Sequence, residues 1–323
     1  MAGLIGTVTL NLALDVTYEV DSLVVGGSHR VAAIRRRAGG KGVNVARVAA
    51  TLGHQVLVLG LVGGITGELV AEELFDAGLT ALLTPIAGET RRTVAIVNGA
   101  DGDATIFNEA GPSVSGDEWR AFGDRMPWGR LGVLACSGSL PPGLPADAYA
   151  ELAVRARHHD VLTVIDAGGA ALTAAAKAGA VVRSNAAELR EALGDTTVED
   201  GARQLVGLGA TAAVITDGAR GMVAASNKGV WRALPVEQVS GNPTGAGDAC
   251  TAVVAAAVAE SPEPDWSVVL KSAVAASAAA VLTPVAGDID LAAYRRWQPQ
   301  VTVNSSPTAP PSPSPSGAPP VTS

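Results

Sequence analysis

The 323 residues carry a formal charge of −8, and 48% of them are hydrophobic while only 3% are aromatic. A chain of this length buries a full core as one large domain, built here mostly from Ala, Val and Leu rather than from rings. The acidic balance excludes a general nucleic-acid or membrane-surface binder, and two cysteines exclude a disulfide framework.

Residues 4–10 read as a strand, with no basic segment and apolar core of the leader type before them. The next stretch, 16–37, lacks helical periodicity and reads as extended. Residues 55–62 form the next strand, followed by a helix over 66–77 with Thr66 as N-cap and Gly78 closing it. A second extended stretch, 91–108, resembles the first in its Val, Thr and charged residues. The two predict a small separate sheet. Further on, strands at 131–137, 161–166, 180–184 and 211–216 alternate with helices that end near 157 and that span 186–193 and 198–208. This alternation predicts a mostly parallel sheet covered on both faces, with ligands beyond the carboxyl ends of its strands. The Ala- and Ser-rich run 272–285 reads as a buried helix, too short and too small-sided for a membrane span. A cytoplasmic protein is therefore expected, with no nucleic acid and no membrane as partner. Residues 302–323 are Ser, Pro and Thr with no core-forming pattern, which predicts a disordered tail after a single domain over 1–301.

Two glycine-rich turns carry the chemistry. In Thr244-Gly245-Ala246-Gly247-Asp248 a turn of small residues opens into an apolar helix, whose free N–H groups and dipole suit an anion. Taken alone, an aspartate there reads first as a helix-stabilising acid. The second turn, Gly39-Gly40-Lys41-Gly42-Val43-Asn44-Val45-Ala46, lets backbone and a cation approach a polar ligand, or is a turn with a solvated lysine. It has neither Walker A nor dinucleotide-binding spacing, and residues 9–15 after the first strand lack the glycines of a dehydrogenase. Arg35 and Arg37 fall on one face of an extended segment and Arg36 on the other. Cys250 is expected to be a small core residue.

Together the two turns resemble the signatures of the ribokinase-like (PfkB) carbohydrate kinases. Thr9-Leu10-Asn11-Leu12-Ala13-Leu14-Asp15, Glu89-Thr90-Arg91, Asn108-Glu109-Ala110-Gly111-Pro112, Ser137-Gly138-Ser139, Asn185-Ala186-Ala187-Glu188 and Asp217-Gly218-Ala219-Arg220-Gly221 resemble motifs of its 1-phosphofructokinase and tagatose-6-phosphate kinase branch. Leu12 stands where that branch usually has proline, Gly168 where it has the serine of D-x-S-G, and Arg183-Ser184 where it has Lys-Pro.

The resemblance implies a three-layer α/β sandwich with a mostly parallel central sheet and a small β lid at about 16–38 and 89–110. It implies ATP and Mg²⁺ as cofactors, Asp248 as general base, and the amides of Gly245, Ala246 and Gly247 around the transferring phosphoryl group. Asp15, Asn44, Gly39 and Gly40 would hold the sugar, while Arg30, Lys41, Arg91 and Ser139 would gather around its existing phosphate. Asn185, Glu188, Asp217, Gly218 and Gly221 would lie on the nucleotide side, with Glu188 reaching the metal through water. The implied reaction is phosphorylation of a ketohexose phosphate, fructose 1-phosphate first. Tagatose 6-phosphate and fructose 6-phosphate follow, then a free hexose or amino sugar. A catalytically silent sugar sensor is the alternative of another class. A homodimer through the lid follows from the resemblance alone.

Overall fold

The computed structural model describes residues 3–31, 33–100 and 103–307. Its strands, in chain order, are β1 (Leu4–Thr9), β2 (Ala13–Val20), β3 (Ala33–Gly39), β4 (Val56–Val62), β5 (Ala81–Pro85), β6 (Arg91–Asn98) and β7 (Ala104–Asn108). There follow β8 (Leu131–Ser137), β9 (Leu162–Asp166), β10 (Val181–Asn185), β11 (Ala212–Thr216), β12 (Met222–Ser226), β13 (Gly229–Ala233) and β14 (Val303–Pro307). They form two sheets. The larger has the order β14-β13-β12-β11-β10-β9-β8-β1-β4-β5, and the smaller β3-β2-β6-β7. From β5 to β11 every pairing in the larger sheet is parallel, whereas β12, β13 and β14 add antiparallel strands at one edge.

Burial on both faces explains why the central strands are continuous apolar runs rather than alternating ones. On β8, Val133 and Ala135 join the core beneath the helices Lys41–Thr51, Ala246–Glu260 and Trp266–Val281. Leu134 and Cys136 join the opposite core with Phe122 and Leu152 of the helices Gly116–Asp124 and Ala148–Arg157. The helix Ala246–Glu260 is buried along almost its whole length, which its composition of Ala, Val, Cys and Thr permits. A third cluster, with Leu12, Leu14, Val16, Val43 and Leu74, seats the small sheet on the main body. The expected architecture is therefore present, and among the described residues no helix is long and apolar enough to cross a membrane.

Three local expectations change. The helix expected at 66–77 runs Gly64–Asp76 and has no side-chain cap of its own. Its free Thr66 N–H donates instead to Glu89 Oε1 at 2.7 Å, and Gly63 N–H donates to Thr90 Oγ1 at 2.9 Å, so a distant segment caps it. The small sheet begins at Ala13, not at 16, which places Asp15 inside a strand. Val303–Pro307, at the start of the tail expected from 302, pairs with β13 and extends the sheet edge. Backbone pairing there needs no apolar side chains, so composition alone misses it. Residues 308–323 of that expected tail lie outside the described residues.

Candidate active site

Asp248 is the third residue of the helix Ala246–Glu260 and only 5% exposed. The chain enters this helix through Gly245 at φ +91°, where a Cβ would also lie 2.9 Å from Ala286 Cα. A side chain at that position meets strain and a clash together. At Gly247 a Cβ would lie 2.5 to 2.8 Å from the guanidinium atoms of Arg183. The turn is bare because its surroundings leave no room for anything larger.

Opposite the turn stands the start of the helix Lys41–Thr51. Asn44 Nδ2 donates to Asp248 Oδ2 at 2.8 Å across 204 positions of sequence. Lys41 Nζ lies 3.5 Å from Asp166 Oδ2 at the end of β9. The other oxygen of Asp166 takes a 2.8 Å hydrogen bond from Arg183 Nη1, and Arg183 Nη2 donates to Thr216 Oγ1 at 3.0 Å. Two cations and two carboxylates thus share one largely buried cluster. Burial pushes the Asp248 carboxyl up to about 6, the charge of Asp166 pushes the same way, and Asn44, Lys41 and Arg183 oppose it. Burial alone would raise Asp166 as well, but Arg183 and Lys41 hold it below the ordinary carboxylate range. The two acids therefore differ: its cations favour the ionised form of Asp166, while burial favours the protonated form of Asp248.

Within the small sheet, Asp15 on β2 stands level with Arg37 on β3 and Thr93 on β6. Burial raises its pKa, against the pull of Thr93, Arg91, Arg37 and Arg47. A Cβ at Gly39 would lie 2.0 Å from Asp15 Oδ2, so the carboxylate rests directly on bare backbone. Gly40, at φ +111°, turns the chain into the Lys41 helix, and a Cβ there would meet Thr9 Cγ2 at 2.6 Å. Arg91 Nε donates to Asn11 O at 3.2 Å, and its Nη1 reaches Thr93 Oγ1 and Glu109 O at 3.3 and 3.4 Å. Ser139 Oγ accepts from Asn11 Nδ2 at 3.1 Å, and the Asn11 Oδ1 is buried without a partner.

A cleft of about 1120 Å³ leads away from Asp248 and Lys41 between two walls. One wall carries Asn185, Asp217, Gly218 and Gly221, and the other carries Val239, Val274, Ala278 and Val281. Asn185 caps the helix Ala186–Leu193 by accepting from the amides of Ala187 and Glu188, each at 2.9 Å. Glu188 Oε2 returns the favour, accepting from Asn185 N–H and Ser184 Oγ at 3.1 Å. Asp217 pairs with Arg220 at 2.7 Å, and Gly221, at φ +89°, passes so close to Ala233 O that a Cβ would sit 2.0 Å from it.

Of the expected residues, Lys41, Asn185, Asp217, Gly218, Gly221 and Gly245 to Asp248 line this cleft, and Asn44 meets it through Asp248. Arg91 lines a separate cleft. Arg30 lies exposed in the connection between β2 and β3 and makes no hydrogen bond or ion pair among the described residues. Asn185 and Glu188 also serve as a capping box, a structural use that suffices to explain them locally. Reading the sequence misses Asp166, Arg183 and Asn11 as members of the site. The carboxyl end of a strand was the available signal for Asp166 and the opening Thr9 to Asp15 motif for Asn11, whereas Arg183 lies inside β10 and had no such signal.

Comparison with known proteins finds relatives over most of the chain. The sequence pattern of the pfkB family carbohydrate kinases matches residues 8–291. A 1-phosphofructokinase of Xanthomonas campestris pv. campestris is 35% identical over 265 residues, covering 78% of this chain and 83% of its own. The structure of phosphofructokinase-2 from Escherichia coli in complex with potassium superposes with a TM-score of 0.86 at 25% identity, covering 93% of this chain and 99% of that one. A ribokinase from Thermotoga maritima shares the fold, with a TM-score of 0.73 at 19% identity over 91% of this chain and 99% of its own.

Proposed function

The chain belongs to the pfkB family of carbohydrate kinases, and on that premise we propose that it phosphorylates fructose 1-phosphate with ATP to give fructose 1,6-bisphosphate. The observation that carries the reading is the placing of Asp248, buried at the cleft and held by Asn44 of the helix that follows the Gly39-Gly40 turn. Its carboxylate takes the proton of the sugar hydroxyl as the oxygen attacks the γ-phosphorus, and the bond to the leaving ADP oxygen breaks. The amides of Gly245, Ala246 and Gly247 stabilise the charge on the transferring group. Asp15, Asn44 and the Gly39-Gly40 backbone orient the acceptor, and the apolar wall at Val239, Val274 and Val281 suits a nucleotide base.

The existing phosphate of the acceptor is assigned to Lys41, Arg91 and Ser139, and Arg30, exposed in the β2–β3 connection, is proposed to join them when substrate binds. Arg91 also lines a second cleft of about 640 Å³ with Arg92, Glu109 and Ser113. Cations grouped in this way in an acidic protein favour a phosphosugar over a free sugar. Mg²⁺ is assigned to Glu188, which follows the cleft-lining residues Asn185 to Ala187. Glu188 Oε1 takes no hydrogen bond among the described residues, and a Cβ at Gly168 would lie 2.8 Å from Glu188 Cγ, so bare backbone lies beside that side chain. When bound, the ion neutralises charge on the phosphate oxygens, and Glu188 holds it through water.

The small sheet acts as the lid that excludes water from the reaction. It leaves Ile34, Ile106 and Phe107 exposed, an apolar surface suited to a second copy of the chain. An ADP-release panel with fructose 1-phosphate, fructose 6-phosphate, tagatose 6-phosphate, free fructose and N-acetylgalactosamine tests the reading. Fructose 1-phosphate should give the highest kcat/KM. Preference for another sugar overturns the substrate assignment, and sugar binding with no ADP release points to a sensor instead.

A further inference from the structure

Behind the Gly39-Gly40 turn lies a group of charges that no step above uses: Arg37, Arg47, Glu73 and Asp288. Arg37 Nη2 donates to Asp288 Oδ1 at 2.5 Å, and its Nη1 stands 3.4 Å from Oδ2, across 251 positions of sequence. Arg47 lies alongside, with its Nη2 at 3.5 Å from Ala38 O and 3.9 Å from Glu73 Oε2. The amide of Ala38 donates to the same Glu73 oxygen at 3.4 Å. Ala38, one residue before the turn, is therefore held at both its N–H and its carbonyl.

Asp288 has a second connection. It follows Gly287, at φ +84°, where a Cβ would lie 2.9 Å from Asn44 Oδ1 and 3.2 Å from Arg47 Cδ. The adjacent Ala286 packs on Gly245. Thr283 Oγ1 reaches Asp288 O at 3.3 Å, and Asn242 Nδ2 donates to Pro284 O at 3.1 Å, so the segment is braced from within. One short segment thus backs both Asn44 and the Gly245 turn, and its final carboxylate holds a strand of the small sheet.

An exposed ion pair contributes little to stability, so the use of this one lies in where it sits. Arg37 and Arg47 repel each other: burial first, and then the charge of Arg37, lower the pKa of Arg47, while Glu73 and Asp288 oppose this. Taking away Asp288 leaves the two guanidiniums facing each other at the end of β3. Displacing an acceptor turn by about 1 Å is enough to cost up to a hundredfold in rate.

We propose that Asp288 is a positioning residue, which through Arg37 fixes the end of β3 and the Gly39-Gly40 turn in register with Asn44 and Asp248. The assignment rests on reading Gly39-Gly40 as the acceptor turn of a sugar kinase. In Asp288→Asn and in Arg37→Gln, KM for the sugar phosphate should rise about fivefold or more while KM for ATP stays within about twofold. The double variant should be no worse than the worse single one, because both remove the same contact. Asp288→Glu, which keeps the charge, should restore KM to near the parent value. Independently of activity, amide hydrogen exchange in residues 38–43 should quicken about threefold or more in Asp288→Asn, with the helix Trp266–Val281 unchanged.

Unchanged exchange at 38–43, equal rises in both KM values, or multiplying losses in the double variant would each overturn the assignment. Should the parent protein turn over a different sugar of the panel, the kinetic arm uses that sugar. Should it turn over none, the kinase reading fails, and the exchange arm alone decides whether Asp288 holds the turn.

Discussion

Replacing Asp248 by Asn should remove most of the activity and, at neutral pH, make the protein more stable. The carboxyl is 5% exposed and titrates at about 6 in the fold, against 3.8 for a free aspartate. A carboxyl whose pKa is raised by folding binds its proton more tightly in the native state. Its contribution to stability is complete below 3.8 and is lost as pH rises through about 6. At about 1.36 kcal/mol for each pH unit between the two values, the ionised group costs about 3 kcal/mol at pH 8. Asparagine has nearly the same shape, carries no charge and still accepts from Asn44. The variant should gain up to about 3 kcal/mol at pH 8, or about 5 °C in Tm, and only about 1 kcal/mol at pH 4.5. Thermal unfolding at the two pH values measures this gain, and ADP release should fall between about a hundred- and ten-thousandfold. A Tm that drops at pH 8, or that rises equally at both pH values, would refute the account of Asp248 as a buried acid ionised at a cost. Undiminished turnover would refute its role as base.

The parent enzyme should lose kcat/KM below about pH 6, as Asp248 takes up a proton. Asp166→Asn should move that acid limb to lower pH, since the charge of Asp166 raises the Asp248 carboxyl. It should also destabilise the fold by about 3 to 5 kcal/mol in urea unfolding, because Arg183 is left buried without its partner. Gly39→Ala should raise KM for the sugar about tenfold and leave KM for ATP nearly unchanged, as the new methyl displaces Asp15; comparing the two KM values checks it. Arg91→Ala should raise KM for phosphosugars much more than for free sugars, and equal effects would sink the phosphate assignment. Sedimentation should show a dimer that Phe107→Asp converts to a monomer.

Much of the fold was legible because the parallel strands are short, apolar on both faces and separated by helices with ordinary end signals. Less legible were the segments whose stability comes from elsewhere in the chain. The helix Gly64–Asp76 takes its cap from Glu89, and no local pattern at 63–66 announces a partner so far along the sequence. The strand Val303–Pro307 is polar and proline-ended, and it exists because β13 offers an unpaired edge.

The two glycine turns show the same division. Their residue types fixed the kind of chemistry: bare backbone at a helix start, one carboxylate, one cation nearby. Taken singly, each turn was also consistent with a plain helix start or a solvated lysine. What the fold decides is which groups meet. Asn44 finds Asp248 across 204 positions, and Asp166 ties Lys41 to a buried Arg183 that sequence reading took for a simple departure from Lys-Pro. From the chain alone follow the family and the sheet, and Asp248 as the proposed base. Folding is what pushes its carboxyl up to about 6, because the burial and the neighbouring charge come from segments that meet only in the folded chain.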